Sequence, residues 1–238
     1  MMKQIPLFIA IVTTAIIFSC SKSDRIIEEA VEVSGYQGYS AFSVEFDIED
    51  THYIANRTKD GFSYERIFND STLIIHDILN NKGFMRMADT LTEILPELEA
   101  KRLSAGLDSV VFFALIPQSL AGTDFEIGYI GQAIYQTEKF DLFEIKSKPE
   151  SVKQSPVYCR IWVGENQRIK FIQNFSNTSN RTTRFIEVKA YKSEEGIQVP
   201  EFAIYDVIES VSSPDDIGAF MKAPKTVVAI QNFKISKL

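Results

Sequence analysis

Apolar positions along the chain follow two periods. From residue 42 the period is two. In AFSVEFDIED, Phe42, Val44, Phe46 and Ile48 alternate with Ser43, Glu45 and Asp47, the mark of a half-buried strand. GFSYERIFND puts Phe62, Tyr64, Arg66 and Phe68 on one face; STLIIHDILNN and KGFMRMAD follow, joined by the turn sequence NNKG. Four strands with short connections predict an antiparallel meander. DFEIGYIGQAIY, EKFDLFEIKSK, PVYCRIWVGE, QRIKFIQNFSN, TRFIEVKAYK, IQVPEFAIYDVIES and KTVVAIQNFKIS read as further strands. Helical spacing appears in three places. SDRIIEEAVEVSG carries a stripe of Ile26, Ile27, Ala30 and Val31, with Ser23 or Asp24 as cap and Gly35 as stop. TLTEILPELEAKRL carries Leu91, Ile94, Leu95, Leu98 and Leu103, and its Pro96 suits a first turn. SSPDDIGAFMKA reads as a short capped helix. SVVFFALIP fits a buried helix or a strand, because periodicity does not separate the two. Helices are expected near 24–34, 97–117 and 213–222. With no βαβ alternation, the pattern predicts an α+β, mostly β fold: one antiparallel sheet with helices on one face.

Several strands are apolar on both faces: Phe84 adjoins Met85, Ile161 adjoins Trp162, and Phe171 adjoins Ile172. Either helices cover part of the second face or the sheet curls around an apolar interior. A packed core and a ligand-lined cavity both satisfy that pattern.

The start of the chain has its own logic. After MMKQ, the run from Ile5 to Phe18 is almost unbroken apolar sequence, shorter than the about 20 residues a permanent span needs. A basic start, a short apolar middle and a small residue before the break match a secretory signal. Ser19 before Cys20 resembles a bacterial lipobox, which implies acylation of Cys20 after residues 1–19 are cut away. Ser21 rather than Asp follows, which by resemblance to the enterobacterial sorting rule implies the outer membrane. Residues 20–238 are then expected as a single domain, tied to the membrane through the N-terminal lipid.

Composition narrows the chemistry. Removing residues 1–19 leaves 219 and takes away Lys3, moving the net charge from −7 to −8. An acidic chain without a basic cluster is not built for nucleic acid. Cys159 has no partner once Cys20 is acylated, so no disulfide is expected. It shares a strand face with Val157, Ile161 and Val163, the setting of an inert buried thiol. His76 and Asp77 are neighbours on a strand and point to opposite faces, so they do not form a dyad. Glu45 and Asp47 share a face about 6.6 Å apart, the ordinary wet side of an amphipathic strand. No HExxH, GxSxG or paired cysteines appear. No catalytic residue, metal or cofactor is expected.

LEAKRLSAGLDSVVFFALIPQSL, YIGQAIYQTEKFDLFEIKS, CRIWVGENQRIKFIQNFS and TTRFIEVKAYKSEEGIQVPEFAIYDV resemble a lipoprotein family of Bacteroidetes-type bacteria, a domain of unknown function. The matching motifs run from Ser109 to Pro117, at Trp162, at Arg184–Phe185, and from Gly196 to Tyr205. That family is similar in outline to the LolA, LolB and LppX group. The resemblance implies a strongly curved antiparallel sheet, an unclosed barrel, with helices covering its concave face around an apolar cavity that accepts acyl chains. It thus implies a non-enzymatic binder of a lipid or of the acyl chain of a lipoprotein, in the cell envelope. On that reading the lining residues, chosen by pattern, are Met85, Phe112, Phe113, Leu115, Trp162 and Phe171. The alternative is a structural or interaction lipoprotein with a filled core and no ligand.

Overall fold

The computed structural model describes residues 22–122, 124–148, 157–175, 182–205, 217–222 and 225–238. The signal segment, Cys20 and residues 213–216 of the third expected helix lie outside these. The chain opens with α1 (Lys22–Val33), followed by β1 (Phe42–Ile48), β2 (Thr51–Arg57), β3 (Phe62–Asp70), β4 (Leu73–Asn80), β5 (Gly83–Ala88) and β6 (Leu91–Glu93). Helix α2 (Glu97–Ala114) and a 3-10 turn (Gln118–Leu120) separate these from β7 (Phe125–Tyr135), β8 (Glu138–Ser147), β9 (Tyr158–Gly164), β10 (Ile169–Phe175), β11 (Thr182–Glu194) and β12 (Ile197–Tyr205). A single turn, α3 (Ile217–Phe220), precedes β13 (Lys225–Lys237). The sheet is antiparallel throughout, in the order β6-β5-β4-β3-β2-β1-β13-β12-β11-β10-β9-β8-β7. Strand β13 therefore joins two meanders.

The sheet curls without closing. Strands β2 and β7 are eight steps apart in the sheet order, about 38 Å at the usual strand spacing. Yet Arg57 at the end of β2 lies 3.8 Å from Asp124, which leads into β7. Helix α2, about 27 Å long by its rise, likewise packs on β3–β5 while its Phe112 ring meets Phe125 of β7 at 5.7 Å. Only a strongly curved sheet brings both edges to one helix.

Alternation decides what each face holds. Phe42, Val44 and Phe46 are buried toward the helices, with Cys159, Ile161 and Val163 of β9 in the same cluster. Helix α1 adds Ile26 and Ile27, and ends at Gly35, whose φ of 82° is the left-handed conformation of a helix stop. An added Cβ there would collide with the Gly196 carbonyl oxygen in the β11–β12 turn.

Four sequence expectations need correction. Ser23 and Asp24 lie inside the first turn of α1 rather than capping it. Strand β2 was not among the expected strands, because only Tyr53 and Ala55 of THYIANR are buried. The run from Leu91 is not the start of a helical stripe: Leu91 belongs to the edge strand β6, and Leu91, Ile94 and Leu98 are 73%, 99% and 82% exposed. SVVFFA is helical, and α2 stops at Ala114, short of the expected 117.

Candidate functional site

The helix-facing side of the sheet is the candidate site. Its roof is the second half of α2. Phe112 and Phe113 stand edge to face at 5.2 Å, and Leu115 and Ile116 follow with almost no exposure. Residues three and four apart share a helix face, which turns Ser104, Leu107 and Val111 toward the sheet as well; all three are buried. The floor is built from alternate positions of both meanders, including Phe46, Tyr64, Leu79, Phe143, Ile161, Ile172, Ile186 and Phe202. Burial raises the pKa of Tyr53 and Tyr64 on this floor, and pushes the Cys159 thiol up to about 12. Cys159 is a buried, unreactive thiol.

One patch of the floor is ionic. Asp77 of β4 is fully buried between Ile75 and Leu79 on the inward register. Two arginines from the flanking strands converge on it. The Arg66 Nε donates to Oδ2 at 3.0 Å, and its Nη2 also bonds Oδ2. The Arg86 Nε donates to Oδ1 at 2.6 Å and its Nη2 to Oδ2 at 2.9 Å. Both guanidinium groups lie over the Phe68 ring. The hydrogen bond to Asp77 raises the Arg86 pKa, with Glu93 and Glu99 adding to it. The carboxylate thus accepts on both oxygens, the arrangement in which a buried charge is tolerated. The cluster is legible in the letters: Arg66 stands in register with Phe62, Tyr64 and Phe68, Asp77 with Ile75 and Leu79, and Arg86 with Phe84.

The six pattern-chosen residues do not come together. Phe112, Phe113 and Leu115 lie in the helix-facing cluster. Trp162 and Phe171 lie on the other face, in a second cluster with Phe140, Phe185, Tyr205 and Ile217 of α3. There Trp162 meets Phe171 at 6.4 Å and Phe185 at 6.1 Å. The two faces separate because Trp162 follows Ile161, and neighbours on a strand point oppositely. Met85 is 40% exposed; its neighbour Phe84 pairs with the inward Leu79, which turns Met85 outward. A lining drawn from this structure keeps Phe112, Phe113 and Leu115 and omits the other three.

The two histidines are outside this site. His76 bonds Glu65 at 2.9 Å while Asp77 points inward, and His52 bonds Asp47 at 2.6 Å. Among the described residues no group of three His, Cys, Asp or Glu is arranged to hold a metal ion. Among them, too, no helix is long and apolar enough to cross a membrane. Two grooves, of about 560 and 330 Å³, lie elsewhere, at the ends of β8–β11 and at the β2–β3 and β4–β5 turns.

No protein-family profile matches the chain, and no curated protein does. Solved structures match over most of its length. A LolA superfamily protein of Nitrosomonas europaea is 12% identical, with a TM-score of 0.52, over 91% of this chain and 94% of that one. A domain assigned to outer membrane lipoprotein sorting in Vibrio parahaemolyticus is 9% identical, over 89% and 91%, with a TM-score of 0.49. The Mycobacterium tuberculosis lipoprotein LppX is 10% identical over 68% of this chain and 87% of that one, with a TM-score of 0.23. By its open thirteen-stranded sheet and its likeness to the first of these structures, the chain has a LolA-like fold.

Proposed function

We propose that the protein is a membrane-anchored, non-enzymatic lipoprotein of the cell envelope that binds an apolar ligand, a lipid or the acyl chain of a lipoprotein, between α2 and the concave sheet. The observation that carries this reading is the construction of that face. Both meanders contribute apolar side chains to it, the sheet stays open at its edges, and a single helix covers the strands β3–β5. An open sheet covered by a helix that is not itself part of the sheet can admit a chain of methylenes without breaking any strand pairing. Leu91, Ile94 and Leu98 add exposed aliphatic surface where α2 begins, beside the free edge β6. The fold likeness supports the same reading, by analogy alone.

A second reading has an observation of its own. Phe112, Phe113 and Leu115 are already buried at 7%, 8% and 1% exposure, as they would be in a filled core that takes no ligand. Mass spectrometry of lipids extracted with the protein from its membrane separates the two. A lipid recovered in stoichiometric amount, together with saturable uptake of a fluorescent fatty acid, is the outcome expected for a carrier. An empty extract with no uptake refutes it and leaves the structural lipoprotein.

A further inference from the structure

The groove of about 560 Å³ lies between the β7–β8 turn, the β9–β10 turn and β11, away from α2. Its wall is unusual for a chain of net charge −7: Lys139, Arg168, Lys170 and Lys189 all line it. Two of them sit at irregularities of the sheet. The β9–β10 register shifts between Ile169 and Phe171, at Lys170, and the β11–β12 register shifts between Val188 and Ala190, at Lys189. Such shifts re-aim a side chain and recur beside binding sites. Both ammonium groups come to Glu187, at 3.3 and 3.5 Å. That carboxylate is almost fully buried and accepts the Tyr205 hydroxyl at 2.8 Å. Lys170 also donates to the Val188 carbonyl at 3.1 Å. The Arg168 guanidinium lies 5.1 Å from the centroid of the Tyr191 ring, a cation–π contact. Two lysines around one carboxylate leave a positive charge over, and Arg168 and Lys139 add to it. Glu138 and Glu165 also line the groove; with Glu187 they set three carboxylates against the four cations Lys139, Arg168, Lys170 and Lys189, which leaves one positive charge over.

We propose that this groove binds a phosphate group, with Lys170, Lys189 and Arg168 as its donors and Glu187 as the positioning residue that holds the two lysines. Fixed ammonium and guanidinium donors form the stronger, charge-assisted class of hydrogen bond with phosphate oxygens. Phosphate borne by a lipid headgroup and phosphate free in solution offer the same oxygens. The site is independent of the concave face, and its fate does not depend on the carrier reading.

The test is calorimetric titration of the full chain in nonionic detergent micelles with inorganic phosphate. Parallel titrations use micelles doped with phosphatidylglycerol or with diacylglycerol. Saturable binding of either phosphate-bearing probe is expected, weakening as sodium chloride is raised, with no heat from diacylglycerol. A response to inorganic phosphate marks a soluble source; a response to phosphatidylglycerol alone marks a headgroup. Lys139→Gln/Arg168→Gln alters an exposed and a half-buried side chain, neither paired with Glu187, and is expected to keep the thermal midpoint while weakening binding about tenfold or more, a loss of about 1.4 kcal/mol. Lys170→Gln/Lys189→Gln should weaken it further. Absence of binding by both phosphate-bearing probes overturns the proposal, as does unchanged binding in both variants.

Discussion

Single residues decide whether the interior is filled or open. In a packed core, Phe113→Ala should destabilise by about 3–5 kcal/mol, the usual range for deleting a buried ring. In the wall of an adaptable cavity the loss should be much smaller, while fatty-acid uptake falls; denaturant midpoints and a fluorescence titration read the two separately. Asp77 makes a sharper case. Replacing it with Asn removes the charge that two arginines share, so about 3–5 kcal/mol of stability should be lost, as when one member of a buried ion pair is deleted. A midpoint unchanged in urea would show that Arg66 and Arg86 find water instead. This cluster is readable in part: charged letters in apolar registers mark inward charges, as Arg66 does beside Tyr64 and Phe68. Trp162 and Phe171 show the opposite case: size and apolarity name a buried residue without naming its face, and both lie on the face away from α2. Glu187 adds a pH dependence. Burial pushes its carboxyl up, but the Tyr205 hydroxyl and the charges of Lys170 and Lys189 outweigh that and hold it below the ordinary range. A lowered pKa contributes stability that is present above the unfolded value and is lost as pH falls through the folded one. Acidification should therefore lower the denaturation midpoint of the wild type more than that of Glu187→Gln.

At the scale of elements, period-two alternation placed eleven strands, and those strands are present. The ones it missed share a cause. Strand β2 exposes or half-exposes five of its seven positions, and β6 is three exposed residues, so neither carries a burial signal. Spacing alone puts Leu91, Ile94 and Leu98 in a helical stripe, although among the described residues nothing covers them. The resolution of SVVFFA into helix came from length: as the end of an eighteen-residue segment it continues a helix already started. Glycine at the end of α1 is required twice, by φ and by space. Gly35→Ala should destabilise by more than about 1 kcal/mol, and thermal unfolding of the variant reads it directly. A neutral result would mean that α1 and the β11–β12 turn can separate freely.

For the whole molecule, the anchoring expectation is the first to test. Cys20→Ala should abolish metabolic labelling with palmitate and release the protein from membranes on fractionation. Persistent labelling would remove the basis for membrane attachment. The curled architecture was expected from the family resemblance; periodicity supplied only a large antiparallel sheet. Curvature is a property of pairs far apart in sequence, such as Arg57 with Asp124, and no local pattern encodes it.

Strand order carries a temporal consequence. Phe42 pairs with Lys237 and Ile48 with Ile230, so the seam between the meanders joins one of the earliest strands to one that follows all the others. Each meander can zip up through neighbouring hairpins as it emerges, but the seam waits for β13. Closing so long a loop is entropically slow. Until then β1 and β12 are both raw edges, open to pairing with other chains. On the envelope location proposed above, the delay has a use, since a nascent chain that cannot finish its sheet stays threadable. Refolding from denaturant should accordingly show a late, concerted step, and it should slow when substitutions weaken the β1–β13 pairing rather than the hairpins.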